Sequence, residues 1–185
     1  MELLSGLLSS LGLSGAAGLN ASIPLLLVGL LARFGVLDLA APFDLLANPW
    51  VLLGVGVLGV LDFVGDKIPG VDHALHLFGG VVNAAAGAIL FAAQAGVAEV
   101  PPAFSLALGF LVAGGVHGAR AAVRPVATAT TGGLANPVLS AAEDGASLGL
   151  SMLAIFAPVL AALGLAGVLA WAVRLWRRGR QERAA

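Results

Sequence analysis

The densest group of ionisable side chains lies between residues 62 and 76 and contains three carboxylates, one lysine and two histidines. Asp62 and Asp66 are four residues apart, so a helix would place them on one face. This is the spacing with which polyprenyl transferases bind magnesium diphosphate. Three interpretations stay open. The segment could be a solvent-exposed turn between two helices, in which Lys67 neutralises a carboxylate and Asp72 caps the next helix. It could also form the acidic entrance of a cavity, or a metal site.

A second group combines His117 with two arginines at helical spacing, Arg120 and Arg124. Residues three and four apart share a helix face, so all three side chains are predicted to point the same way. Such a face could attract an anion or pair with carboxylates. It could equally consist of arginines that extend to the membrane interface.

Two adjacent carboxylates, Glu143 and Asp144, interrupt an otherwise apolar part of the chain. If they lie inside a membrane span, each is costly unless paired or hydrated, which makes them functional candidates. Together with Asp62 and Asp66 they would then set charge preference or carry protons. If the chain turns at this point, they are ordinary turn residues.

Two uncharged stretches contain turn residues where a plain membrane anchor would contain leucine. In residues 14–24, Gly18 can end a helix and Asn20 or Ser22 can cap the next one. In residues 128–137, Asn136 is predicted as an N-cap with Pro137 in the first turn. Irregular backbone at membrane depth is tolerated only beside protein or a water-filled cavity, so both breaks indicate a cavity. The predicted coordinating oxygens there belong to Asn20, Ser22, Thr130, Thr131 and Asn136.

The composition indicates which kind of secondary structure holds these residues in place. Of 185 residues, 59% are apolar and 10% are charged, against about a quarter charged in soluble domains. The net charge of -1 gives no basic field for nucleic acid, and the absence of cysteine excludes disulfides and thiolate metal sites. The predicted fold is an all-α polytopic transmembrane helix bundle of about six spans, with two broken or re-entrant helices.

Uncharged stretches predict the spans, because a crossing needs about 20 apolar residues. The stretches are 3–32, 45–61, 77–98, 100–119 (with one histidine), 125–142 and 145–173. An alternative for the last two has 125–134 dipping into the membrane, 137–156 crossing with both carboxylates inside, and 158–176 as the final helix. Residues 1–176 are predicted to form a single transmembrane domain, followed by a short basic tail at 177–185.

Lysine and arginine predict the orientation, because cytoplasmic loops collect them. Treating residues 3–32 as one crossing puts eight of the nine basic residues on the side of the tail, and Arg33 alone opposite. Asp38, Asp44 and Glu99 fall on that opposite side. The sequence therefore predicts a protein of the inner (plasma) membrane with both termini cytoplasmic.

Several motifs resemble the bacterial membrane proteins grouped as domain of unknown function 4126. These are Gly-Leu-Asn-Ala-Ser-Ile-Pro at 18–24, Asp-Lys-Ile-Pro-Gly-Val-Asp at 66–72, Arg124 with Thr-Ala-Thr-Thr at 128–131, and residues 136–144 from Asn-Pro to Glu-Asp. The matching order covers most of the chain, and the 66–72 motif is the most specific. The resemblance implies a small polytopic membrane protein whose activity the family name leaves open.

We therefore expect an integral membrane transporter or channel for an ion or small solute, with its cavity at the two discontinuous helices. The expected partners are the lipid bilayer, that solute and further copies of the chain, with no cofactor and no nucleic acid. Two alternatives stay open: a magnesium-dependent membrane enzyme acting on a lipid phosphate, and a non-catalytic membrane assembly protein. Enzymatic activity is the less favoured of these expectations.

Overall fold

The computed structural model describes residues 2–65, 71–94, 99–132 and 135–161, and seven separate positions between 163 and 174. Within this part the chain is all-helical, as the sequence predicts. Its helices are α1 (Glu2–Leu19), α2 (Ser22–Arg33), a 3-10 helix (Phe43–Ala47), α3 (Pro49–Gly65), α4 (Val71–Ala93), α5 (Pro102–Thr131) and α6 (Asn136–Phe156). Residues 158–161 begin a further helical segment.

The first two helices form a hairpin, because the chain reverses at Asn20. Near the start of α1, Ser9 contacts the Gln94 side chain at the end of α4. After α2, Leu39 forms a β-bridge with Gln94, so the chain has returned to the same level. The prediction that residues 3–32 form one crossing is therefore wrong. The break was predicted correctly, but hydropathy gives no information about the angle of a turn.

The hairpin defines two ends of the bundle. The loop end carries the start of α1 and residues 34–48, which follow α2. The turn end is the end at which α5 stops and α6 begins. Asn20, at the tip of the hairpin, points towards the turn end.

Helix α1 lies at the centre of the bundle and packs against α4, α5 and α6. It is antiparallel to α4, and polar side chains mark the register. Ser10 Oγ donates to Phe91 O at 3.1 Å, and Ser14 Oγ donates to Gly87 O at 2.9 Å. Serines spaced four residues apart thus bond the backbone of the neighbouring helix directly, which is a common way to join helices in apolar surroundings.

Glycines allow α4 and α5 to cross closely beside α1. A Cβ added at Gly87 would lie within 3.0 Å of Ala113 and Gly109, and one added at Gly18 would lie 2.6 Å from Val116. Real Cβ atoms do not approach this closely, so these positions require glycine. The interior at this level is consequently dense and consists of backbone and small side chains.

The part of the chain between α5 and α6 distinguishes the two alternatives for residues 125–156. Helix α5 continues through Pro125 to Thr131, and Gly132 ends it with φ of 61°. A crossing over 125–142 is therefore wrong, and residues 125–131 belong to α5. Helix α6, Asn136–Phe156, agrees with the alternative segment 137–156 and contains Glu143 and Asp144. The helix ends before Pro158, at Ala157.

Many large apolar side chains lie on the outside of the bundle, while most buried side chains are small or polar. Trp50, Leu111 and Val138 are 77%, 68% and 72% exposed. The buried core is mostly alanine, and buried serines occur on α1, α5 and α6. By length and composition, α5 and α6 could each cross a membrane. The remaining described apolar helices are shorter or only partly apolar.

Candidate functional site: a charged cluster at the hairpin tip

The tip of the α1–α2 hairpin is held by the side chain of Asn20. Its Oδ1 accepts hydrogen bonds from the backbone N–H groups of Ser22 at 2.9 Å and Ile23 at 3.3 Å. These N–H groups would otherwise lack a partner at the start of α2. The capping role predicted for Asn20 is therefore confirmed, and Pro24 fits in the first turn because it has no N–H to satisfy.

The carbonyl groups at the end of α1 receive hydrogen bonds from side chains of α4, α5 and α6. Arg120 Nη1 on α5 donates to Leu19 O in a very short contact. Ser147 Oγ on α6 lies within hydrogen-bond distance of Ala16 O at 3.0 Å and Asn20 O at 3.3 Å. A helix C-terminus carries partial negative charge, so an arginine is well placed there.

Two arginines of α5 share one carboxylate of α6. Arg124 Nη2 donates to Glu143 Oε2 at 2.5 Å, and Arg120 Nε lies 2.8 Å from the same oxygen. The Arg120 Nε contact is an ion pair that is not aligned as a hydrogen bond. The side chains are only 11% and 12% exposed. Helices α5 and α6 otherwise touch little, so this contact is a main link between them.

The neighbouring carboxylate has a different environment. Asp144 Oδ1 accepts a hydrogen bond from Asn20 Nδ2 at 2.9 Å. Among the described residues it has no ion-pair partner, whereas Glu143 has two. We call Asn20, Arg120, Arg124, Glu143 and Asp144 the tip cluster.

The tip cluster contains two arginines and two carboxylates, so its formal charges balance. Both guanidinium groups are engaged by Glu143, whereas Asp144 is a carboxylate with no cationic partner among the described residues and is the group with which a cation could interact. A cation that reached Asp144 would find a carboxylate already oriented by a neutral amide. The sequence predicted these five residues individually, and the structure brings them together.

His117 lies next to the tip cluster and contacts α4. Asn83 Nδ2 is 3.0 Å from His117 Nδ1 and 3.3 Å from Gly18 O. Both side chains are buried. The histidine is thus part of the same polar layer, one helix turn from Arg120.

The predicted ligands of the second break lie elsewhere. Thr130 and Thr131 are exposed near the end of α5, where Thr130 Oγ1 donates to Val126 O and Thr131 Oγ1 accepts from Ala135 N. Asn136 makes no capping hydrogen bond, so that prediction is wrong. Its Oδ1 instead accepts from Thr128 Oγ1 at 3.0 Å, which ties α6 to α5. These residues shape a turn and do not join the tip cluster.

The group of ionisable side chains between residues 62 and 76 lies only partly within the described residues. Asp62 lies in the last turn of α3 and has an interaction partner. Asp66 and Lys67 lie outside the described residues, and Asp72 is placed by its backbone in the first turn of α4. The described portion of the chain contains no group of three acidic or histidine side chains that could hold a metal ion.

Sequence reasoning missed two residues that hold the tip in place, Asn83 and Ser147. Asn83 is the one amide in the apolar stretch of α4, and that isolation is a usable signal. Ser147 belongs to a Gly-x-Ser-x-Gly run that suggests helix packing. Its hydrogen bonds to α1 depend on where α6 begins, which the sequence left open.

The fold and site define a class: an all-helical bundle in which a helical hairpin ends at a buried cluster of balanced charges. A family model matches residues 7–178, and the chain belongs to that family, Domain of unknown function (DUF4126). The resemblance noted from the sequence motifs is thereby confirmed. No curated protein and no solved structure matches the chain.

Proposed function

We propose that the chain is an integral membrane protein that moves an ion or small solute past the tip cluster. The first support is the distribution of side chains. Many large apolar residues face outward along α3, α5 and α6, while most of the buried side chains are alanine and serine. Water would disfavour so much exposed apolar surface, whereas lipid accommodates it, and small residues let membrane helices pack closely.

The depth of the hairpin tip carries the proposal. At 1.5 Å per residue, Glu143 lies about 10 Å from the start of α6, and Asn83 about 18 Å from the start of α4. Helices α4, α5 and α6 therefore extend beyond the tip towards the turn end. If α6 crosses a hydrocarbon core of about 30 Å, the tip cluster lies inside it.

A re-entrant hairpin of this kind enters the bilayer from one side and does not reach the other. Helix α1 is about 27 Å long and α2 about 18 Å, so the hairpin enters from the loop end and stops before the turn end. Transporters use interrupted helices in this way to place backbone and polar groups at a binding site. A solute would reach Asp144 from the turn end, between the ends of α4, α5 and α6.

The proposed orientation places the turn end in the cytoplasm. Arg120 and Arg124 lie towards that end, while Asp38, Asp44 and Glu99 lie in segments at the loop end. Basic residues favour the cytoplasmic side. Because the hairpin reverses the chain, this orientation puts the start of α1 on the opposite side. It thus replaces the expectation of a cytoplasmic N-terminus.

We further propose that several copies assemble in the plasma membrane. Gly145 and Gly149 face outward on α6, and a Cβ at either would meet nothing within 4 Å. Paired small residues four apart let membrane helices associate closely. No observation on the described residues favours the magnesium enzyme over transport.

The test is a flux screen with purified protein in liposomes, over a panel of ions and small solutes, with empty vesicles as the blank. We expect flux of at least one solute above the blank. Asp144→Asn keeps the shape of the side chain and removes its charge, and should lower that flux by tenfold or more. Ser10→Ala, a buried change outside the tip cluster, is the matched control and should retain flux.

Two results would contradict the proposal. One is a panel with no flux above empty vesicles. The other is an Asp144→Asn variant that stays folded, shown by its circular dichroism and monodisperse elution, and transports as well as Ser10→Ala. That second result would mean that the tip cluster holds the helices together and takes no part in transport.

A further inference from the structure

A second group of buried polar side chains lies at the loop end of the bundle. Gln94, at the end of α4, is 8% exposed, and Ser105, near the start of α5, is 1% exposed. Gln94 Nε2 and Ser105 Oγ are both buried without a hydrogen-bond partner. An unmatched buried polar atom is costly, so two of them in one place point to a missing partner.

The helix register brings these two side chains to the same level. Helices α4 and α5 are antiparallel, with Gly87 against Ala113 and Phe91 against Gly109. Ser105 lies one turn before Gly109 on α5, and Gln94 directly follows Ala93, the last residue of α4. Both side chains therefore lie at the loop end, at about the same level of the bundle.

A third polar side chain completes the group from α1. Ser9 is 8% exposed, and its Oγ donates to Gln94 Oε1 at 3.4 Å. The amide of Gln94 thus has its oxygen engaged towards α1, while its nitrogen has no acceptor. Ser105 Oγ can act as a donor or as an acceptor.

We propose that α1, α4 and α5 bind one water molecule between Gln94 Nε2 and Ser105 Oγ. Water can accept a hydrogen bond from the amide and exchange one with the hydroxyl. Buried waters make two to four such bonds to groups that otherwise lack partners. The amide N–H needs an acceptor and the hydroxyl can donate or accept, so a neutral molecule that does both fits the pair.

This water site is separate from the tip cluster. Between them, Gly87, Gly109 and Ala113 pack so closely that a single added Cβ would collide. That dense packing lies between the two sites, so we assign the water a role in stabilising the loop end. Its failure would leave the proposed function intact.

A double-mutant cycle tests the proposal, with unfolding by SDS in mixed micelles followed by circular dichroism. Gln94→Leu and Ser105→Ala should each lower the folding equilibrium constant by about fivefold or more, because each removes a bond to the water. The second change should cost at least about threefold less when the first is present. We expect this coupling because both side chains would bond the same water molecule.

Ser14→Ala is the matched control, because Ser14 is buried and bonds Gly87 O directly. Its cost should add to that of Gln94→Leu without coupling. If Ser105→Ala is neutral or stabilising, or if its cost is additive with Gln94→Leu, the proposal is wrong. An empty site would gain stability from loss of the unmatched hydroxyl.

Hydroxyl-radical labelling provides a second readout on the unmodified protein. Phe91 is 1% exposed and lies one turn from Gln94. Radicals generated from a bound water should oxidise it in the folded state, and Ser105→Ala should reduce that labelling at least threefold. Labelling of Phe91 at background level in folded wild-type protein would overturn the proposal.

Discussion

Replacing Glu143 by glutamine tests whether the ion pairs of the tip cluster hold α5 to α6. The change keeps the size of the side chain and removes the negative charge that Arg120 and Arg124 share. These side chains are only 11–12% exposed, so water compensates little for the loss. Two buried guanidinium groups would then lose the carboxylate that they share.

The expected cost follows from that burial. Breaking a buried ion pair by removing one partner costs about 3–5 kcal/mol. Asp144→Asn, by contrast, weakens one hydrogen bond to a neutral amide, for which about 1 kcal/mol is typical. We therefore expect Glu143→Gln to destabilise the protein by about 3 kcal/mol and Asp144→Asn by about 1 kcal/mol.

The assay is equilibrium unfolding by SDS in mixed micelles, monitored by circular dichroism. Adding Arg124→Gln to Glu143→Gln should cost less than the sum of the two single changes, because both changes remove the same ion pair. Equal, small costs for Glu143→Gln and Asp144→Asn would refute the reasoning. Such a result would mean that water screens the ion pairs.

Two further substitutions test the hairpin and the helix crossing. Asn20→Ala removes the cap of α2 and the partner of Asp144, and should lower the free energy of unfolding by about 1 kcal/mol or more. Asn136→Ala, at the partly buried start of α6, should cost clearly less in the same assay, and an equal cost would count against the hairpin tip as an anchor. Gly87→Ala should cost about 1–3 kcal/mol by overpacking, whereas Gly54→Ala, with open space around it, should be neutral or stabilising in thermal melts. Similar effects of the two glycine changes would show that the crossing tolerates a side chain.

The sequence predicts the helices better than it predicts their directions. Uncharged stretches locate the segments, and Gly18, Asn20 and Pro24 mark the first break, because capping chemistry is local. The reversal at Asn20 depends on packing of α2 against α3 and α6, which local patterns do not encode. For that reason a hairpin was mistaken for one long crossing.

The sequence likewise predicts which residues belong to the candidate site, but it does not predict which of them contact each other. Arg120 and Arg124 share a helix face by spacing alone, and Glu143 stands out in an apolar stretch. Their contact requires α5 to continue through Pro125 and α6 to begin at Asn136. Asn83 was missed because a single amide forms no spacing pattern, so its isolation in an apolar stretch is the one sequence signal that marks it.

Thiol labelling at single introduced cysteines tests the re-entrant hairpin most directly, because the chain contains no natural cysteine. Cysteines at Ser5, Val36 and Ala129, all exposed, would be probed with a membrane-impermeant maleimide in sealed vesicles of both orientations. We predict that positions 5 and 36 react from the same side and position 129 from the other. Reaction of positions 5 and 36 from opposite sides would show one continuous crossing and contradict the hairpin.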